Sequence, residues 1–285
     1  MPSRIAWLLV PLCGCSLLVS TSGLSDGEVR GLDGGGGSND GATTIDARAP
    51  EAGSGDSAAL PDASDAYSAA VLSDSPLAYM RLDDVAGTTA RNSVSGAAAT
   101  YVGTVKLGAA GAIAGNGAVE LTDGWLDFGD RFAFVGDAPY TIELWMRPTV
   151  VSDTRFIFDR GPSTGTAPGE GYTAYFGTGY TLAARARVTG GEFGYVSTSA
   201  SPRTDNWTHL VVSYDGSTNR LFVDGVQIAA NGAGAIGTSS PGRFAVGNLA
   251  RGQFNKFVGF VDEVAIYGRA LTAARIAAHF AAAGR

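Results

Sequence analysis

Trp207-Thr208-His209-Leu210-Val211-Val212-Ser213-Tyr214, a turn at Asp215-Gly216-Ser217, then Arg220-Leu221-Phe222-Val223, Asp224-Gly225 and Val226-Gln227-Ile228-Ala229 form the most legible run of the chain. Asp-Gly between alternating apolar residues is the strongest short-range signal of a β-hairpin, because both turn residues must adopt positive φ. Two consecutive hairpins follow from it. Upstream, Tyr140 to Pro148 reads as a further strand that ends where proline removes a ladder donor. From Tyr67 onward, short apolar alternations are broken every eight to twelve residues by Gly, Asp, Asn or Pro, the pattern of an all-β sandwich or barrel. Helical periodicity is expected in the last dozen residues alone.

Downstream, Phe257 to Tyr267 is a strand in which Val258, Phe260, Asp262, Val264 and Ile266 share a face by period two. Asp262 should therefore point inward, where a carboxylate must be hydrogen-bonded, paired or metal-bound. Thr272 is placed to cap a helix running through Ala283, with Leu271 and Ile276 as its hydrophobic staple. Ile276 and Phe280, four apart, would dock that helix on the strands.

The N-terminal part is of another kind. Arg4 precedes the apolar run Ile5-Ala6-Trp7-Leu8-Leu9-Val10-Pro11-Leu12, as in a secretory signal. Leu12-Cys13-Gly14-Cys15 resembles a bacterial lipoprotein signal, which makes residues 1–14 the signal peptide and Cys15 the lipidated residue. An uncleaved anchor and ordinary secretion stay open beside it, since no charge occurs between Ile5 and Ser25. Ser16 at the next position resembles outer-membrane sorting, so the expected location is the outer membrane or cell surface. Residues 15–66 then read as a disordered tether: nine acidic residues against Arg30 and Arg48, a Gly34-Gly35-Gly36-Gly37 run, and no aromatic before Tyr67.

Composition narrows the chemistry of residues 67–285. Cys13 and Cys15 are the two cysteines of the chain, and the two histidines are His209 and His279. Zinc, haem, iron–sulfur and thiol chemistry are therefore not expected in the body. His209, inside a strand, reads as structural, and His279, on the terminal helix, as solvent-facing. The body holds 18 acidic and 17 basic residues, without the basic stripe that a phosphate backbone requires, so nucleic acid is not an expected partner.

Four blocks in order carry a resemblance: Tyr67 to Asp84, Tyr140 to Pro148, Asn206 to Gly216 and Gly259 to Leu271. Together they resemble the laminin-G-like domain of the concanavalin-A-like lectin/glucanase superfamily, with Met80 where that family usually has Trp. The resemblance implies a jelly-roll sandwich of two antiparallel sheets. It does not imply one activity, since lectins, adhesion modules and glucanases share the fold. Relatives that bind calcium make Asp262 the candidate ligand for Ca2+.

Glycoside hydrolysis needs two carboxylates converging on one bond, and the chain has no alternating acidic run of the glucanase kind. Asp83-Asp84 and Asp262-Glu263 are adjacent pairs, expected to point to opposite faces, and Glu143 stands alone in its strand, facing solvent or a cleft. The expected function is thus noncatalytic binding of a polysaccharide or glycan, with a surface protein as alternative partner and a glucanase as the third reading. Sugar rings stack on aromatic faces, and the segment Gly169 to Tyr195 supplies Tyr172, Tyr175 and Tyr180 with Arg185 and Arg187. The loop Arg251-Gly252-Gln253-Phe254-Asn255-Lys256 adds Phe254 as a second candidate.

Overall fold

Alternating strands that each bury one face must pair into layers, and here they do so without interruption. The computed structural model describes residues 63–163, 170–177, 181–188, 191–198, 203–204, 206–232, 234–237, 242–252 and 254–285. The signal peptide, Cys15 and the tether as far as residue 62 lie outside these residues, as does Tyr180.

The strands are β1 (Ala78–Met80), β2 (Thr89–Ala90), β3 (Ala99–Ala110), β4 (Gly117–Asp127), β5 (Tyr140–Pro148), β6 (Arg155–Pro162), β7 (Gly171–Phe176), β8 (Leu182–Val188), β9 (Gly191–Ser197), β10 (Thr208–Tyr214), β11 (Thr218–Val223), β12 (Val226–Gly232), β13 (Gly242–Val246) and β14 (Gly259–Tyr267). Two helices flank them, α1 (Ala63–Ser73) and α2 (Ala273–Ala282). The strands run in the hydrogen-bonded order β12-β11-β10-β5-β14-β4-β13-β6-β7-β8-β9, with β1 on β14, and β3 on β4. This ribbon folds over so that Ile142, Leu144, Met146, Leu210 and Val212 of one layer share a core with Phe158, Ala174, Phe176 and Phe244 of the other. The expected jelly-roll sandwich is thus realised.

Both hairpins form. Leu210 pairs with Val223 and Tyr214 with Asn219. At the next turn Asp224 and Gly225 have φ of 50° and 76°, the pair of left-handed residues that a two-residue turn requires. Thr272 caps α2 by accepting the Arg275 N–H at 3.3 Å, and Leu271 and Ile276 of the staple are both buried.

Two local features depart from the sequence expectation. The first is α1, a second helix that begins inside the segment read as tether; Ser64, Tyr67 and Val71 form its buried stripe, and Asp74 just past its end is buried too. The second is a bulge in β14. Glu263 has φ of 51°, and the pairing with β5 slips between Asp262 and Ala265. One extra residue reverses every later side chain. Val261, Val264 and Ile266 therefore enter the central core, while Phe260, Ala265 and Tyr267 join the cluster under the helices. The single face expected from Val258 to Ile266 is split. The bulge also marks a change of neighbour, because Gly259 to Val261 pair with β4 and Val264 to Ile266 pair with β1.

The outer face of the β10-β5-β14 layer is covered by both helices. Trp145, Val211, Phe222 and Tyr267 pack there with Tyr67 and Val71 of α1 and Ile276 of α2. At its centre lies Glu143, fully buried. Its Oε1 accepts from Tyr67 Oη at 3.0 Å and His209 Nε2 at 2.8 Å, and its Oε2 from Tyr267 Oη and His279 Nδ1, each at 3.0 Å. Glu143 thus faces neither solvent nor a cleft. His279 is also fully buried, against the solvent-facing expectation, because its Nε2 reaches Asp74 Oδ2 at 3.0 Å. Between two carboxylates that can only accept, both ring nitrogens donate, and His279 is an imidazolium. Arg269 and Arg275 hold the same Asp74 at 3.0 and 2.8 Å.

Burial raises the Glu143 pKa, but the hydrogen bonds and charges of His209 and His279 outweigh it and hold the carboxylate far below its ordinary range. Burial opposes the charge of His279, yet Glu143 and Asp74 raise its pKa above 6.5. The His279 contribution is therefore complete below about pH 6.5 and is lost as pH rises through the raised value. The Glu143 contribution is present above its ordinary value of 4.5 and is lost only in strong acid. Glu143→Ala leaves a buried cation behind and is expected to cost roughly 3–5 kcal/mol in urea denaturation at neutral pH; a loss below about 1 kcal/mol would contradict the account. The deficit of His279→Gln should shrink as the pH is raised.

Candidate functional site

With both helices on one face of the sandwich, no helix among the described residues covers the other outer face. Its register is continuous: Asp127 pairs with Ala245, Ala245 with Asp159, Asp159 with Thr173, and Thr173 with Arg185. These residues lie side by side across β4, β13, β6, β7 and β8, on the side opposite Phe244, Phe158 and Ala174 of the core. In the adjoining row Arg243 pairs with Gly161 and Gly171 with Arg187. A Cβ on Gly161 would stand 3.2 Å from Asp159 Oδ2 and 3.7 Å from Ala250, so glycine there leaves the floor open.

The result is a depression of about 80 Å3 bordered by Asp159, Thr173, Arg185, Arg187, Leu249 and Arg251. The Arg185 guanidinium lies 4.7 Å above the Tyr175 ring, and Phe156 lies 5.7 Å from the same ring. Asp159 Oδ2 accepts the Ala250 N–H at 2.8 Å, which anchors the loop after β13 at the rim. Burial raises the Asp159 pKa, and the Ala250 N–H and the charges of Arg185 and Arg251 work against that rise. Further along the face, Lys256 Nζ sits 5.1 Å over Trp125 and bonds Asp123 at 2.5 Å, while Arg243 pairs with Asp127 at 3.4 Å.

Of the residues expected from sequence, Arg185 and Arg187 line this depression, and Tyr175 lies beside it beneath the Arg185 guanidinium. Phe254 is 64% exposed in the same loop that supplies Leu249 and Arg251. Tyr172 borders the same depression, but its ring is turned into the core. It is 1% exposed, stacks on Tyr140 at 4.5 Å and donates its hydroxyl to the Phe132 carbonyl at 2.7 Å. The alternation of Tyr172, Ala174 and Phe176 sends all three into the core. Asp159, Thr173 and Leu249 were not singled out in the sequence. The inward positions Phe158 and Ala174 would have placed the first two outward, but no local signal joins strands whose partners are distant in the chain.

Asp262 and Glu263 are both fully buried, but Asp262 lies beside Trp145 on the helix-covered side and not on the core face of Val264 and Ile266. The adjacent pair does not diverge, because the bulge turns both carboxylates toward Asn116, whose amide donates to Asp262 Oδ1 and Glu263 Oε1. Asp262 also accepts the Ala112 N–H at 2.8 Å. Glu263 accepts from Tyr79 Oη and lies 3.6 Å from Arg81 Nε. Calcium takes 6 to 8 oxygen ligands, whereas this pair is surrounded by hydrogen-bond donors and a guanidinium. Among the described residues no group of three or more His, Cys, Asp or Glu converges as a metal set. The residues present do not fit a calcium ion at Asp262.

A family model described as the concanavalin A-like lectin/glucanases superfamily matches residues 114–277, over half of the chain. The chain belongs to that superfamily. No curated protein matches it. Among solved structures, domain 4 of a GH43 extracellular arabinanase from Geobacillus stearothermophilus, in complex with arabinotriose, is similar at a TM-score of 0.51 and 18% identity, over 72% of this chain and 97% of that one. The Trypanosoma rangeli sialidase, in complex with 2,3-difluorosialic acid, is similar at 0.54 and 13% identity, over 72% of this chain and 32% of that one. These likenesses concern the fold.

Burial pushes the Glu263 pKa up to about 7, against the Tyr79 hydrogen bond and the Arg81 charge. Burial first, and the neighbouring Glu263 charge second, drive Asp262 upward as well. A carboxyl whose folded value is raised costs the folded state stability as pH climbs from the ordinary 4.5 toward about 7. Glu263→Gln should therefore gain on the parent chain between about pH 5 and about pH 8, by up to about 3 kcal/mol. Thermal denaturation at the two pH values reads this, and a pH-independent difference would contradict the assignment.

Proposed function

We propose that the chain is an exported, noncatalytic recognition module that binds a polysaccharide or glycan on the open face of the β13-β6-β7-β8 layer. The observation that carries the reading is the asymmetry of the sandwich. One outer face is sealed by helices around Glu143, and the other presents Tyr175, Thr173, Arg185 and Arg187 around a floor of Gly161 and Gly171. Apolar and aromatic surface with a few fixed polar groups is what oligosaccharide binding requires. The arabinotriose complex of the arabinanase domain is in keeping with this reading. Hydrolysis would need a second carboxylate across the bond, ~5 to 9.5 Å from the first, and Asp159 is the one carboxylate in the described lining.

Lipidation at Cys15 would hang the module from a bacterial membrane, with residues 16–62 spacing it from the surface and the outer membrane or cell surface as its place. A glycan array probed with the purified chain, in calcium and again in EDTA, tests the recognition reading. Specific binding is expected, and Tyr175→Ala and Arg185→Ala should each weaken it by about tenfold or more, about 1.4 kcal/mol, without lowering Tm. Loss of binding in EDTA would place a calcium ion at the site after all. A folded chain that binds no glycan in either buffer overturns the reading and favours a surface protein as partner.

A further inference from the structure

At the margin of α2, where the segment ahead of β10 meets the Asp224-Gly225 turn, lies a second cavity, of about 260 Å3. It shares no lining residue with the depression on the opposite layer. Its apolar wall is aromatic: Trp145 of β5, Trp207 just before β10 and Phe280 of α2. Trp145 and Phe280 stack at 5.8 Å with 17° between their planes, and the Arg147 guanidinium lies 5.4 Å over the Trp207 ring. The turn is pinned against α2, since a Cβ on Gly225 would stand 2.9 Å from that of Phe280. An apolar cavity of roughly 150 Å3 takes a benzene molecule, so this one has room for a ring and a short substituent.

The polar groups of the described lining are mostly donors. The Trp145 Nε1–H is buried and has no hydrogen-bond partner, although a buried indole N–H ordinarily finds one. Arg203 and Arg285, both exposed, each commit Nη2, to Asp224 and to the Ala112 carbonyl respectively, and keep further N–H groups. Asp224 is the one carboxylate in the lining, and both its oxygens are taken, Oδ1 by the His209 N–H at 3.0 Å and Oδ2 by Arg203. The Asn206 amide completes the set. A sugar hydroxyl donates as well as accepts, and the carboxylate it would donate to is occupied here. A flat apolar body with one acceptor head matches the lining better, above all an anion that a guanidinium meets in two parallel hydrogen bonds.

We propose that this cavity is a binding site for a small aromatic carboxylate, with the ring against Trp207 and Phe280 and the carboxylate held by Arg203 and Arg285. The site is separate from the glycan face and does not depend on the glycan reading.

Calorimetry on the whole chain tests it with two matched pairs of probes, benzoate against benzamide and phenylacetate against phenylacetamide. At least one acid should bind with a Kd of about 1 mM or tighter, and about fivefold or more tightly than its amide. Arg203→Gln should bring that preference below about twofold. Its circular dichroism and Tm are expected to stay unchanged, because the Arg203 side chain is 49% exposed in its pair with Asp224 and such pairs add little stability. Arg285→Gln, which leaves that pair intact, should weaken acid binding in the same direction. Equal affinity for acid and amide would overturn the carboxylate assignment, as would an acid preference that survives both variants. Absence of binding by either acid to the folded chain would overturn the site itself. Acid binding that shifts the amide resonances of Thr173 and Arg185, with those of Trp207 and Phe280 unmoved, would also overturn it, because the acid would then sit on the opposite layer.

Discussion

Glu143 is the constraint on which the arrangement depends. A carboxylate in the middle of a strand, on the outward side of a sandwich, would ordinarily be left in water. Here it is fully buried, and an unpaired buried carboxylate is among the costliest things a fold can contain. Its compensation comes from four separate elements: Tyr67 of α1, His209 of β10, Tyr267 of β14 and His279 of α2. Two of those donors exist at that place only because the helices are docked. The helices in turn are tied to each other through Asp74, which binds His279, Arg269 and Arg275. Burial of Trp145, Phe222 and Ile276 supplies the apolar driving force, and the ion network makes it specific to one docking geometry.

This sealing of one face decides what the rest of the molecule can do. A sandwich has two outer faces, and the chain commits the first to its own terminal helices. The bulge at Glu263 serves the same enclosure. It lets β14 exchange one neighbour, β4, for another, β1, and the two carboxylates released there are taken up by Asn116, Ala112 and Tyr79. Asp262 and Glu263, the most suggestive acidic pair in the sequence, are therefore joint pieces of the scaffold. On the opposite layer Asp159, Thr173 and Arg185 face outward across strands whose inner sides are core.

Much of the scaffold was legible from local signals. The Asp224-Gly225 turn needs positive φ at both positions and has it. Thr272 with Leu271 and Ile276 announced the start of α2. Tyr140 to Pro148 matches β5 end to end. What escaped was whatever depended on a partner remote in sequence. The buried positions of α1 and its end are Ser64, Tyr67, Val71 and, just past the helix, Asp74, half of them polar, so the helical period carried too little apolar signal to read. His279 looked like a polar residue on an outer helix face because nothing near it in the chain reveals Glu143 and Asp74. The bulge at Glu263 inverted the parity of the last strand, and with it the expectation that Asp262 and Glu263 diverge. At the candidate site Tyr175, Arg185 and Arg187 could be named from composition, whereas Asp159 joins them only through a register spanning β6, β7 and β8. Tyr172 was drawn in by the same composition, although its alternation with Ala174 and Phe176 already pointed to the core.

The central claim is that recognition occurs on the open layer while the helix-covered layer is structural. Chemical-shift mapping of the isotopically labelled chain, titrated with the tightest-binding oligosaccharide from an array, tests it most directly. The account predicts that perturbed amides cluster at Asp159, Thr173, Tyr175, Arg185, Arg187 and Arg251, with those of Trp145, His209 and Phe280 unmoved. Perturbations concentrated around Trp145, Trp207 and Phe280, with the open layer silent, would contradict it.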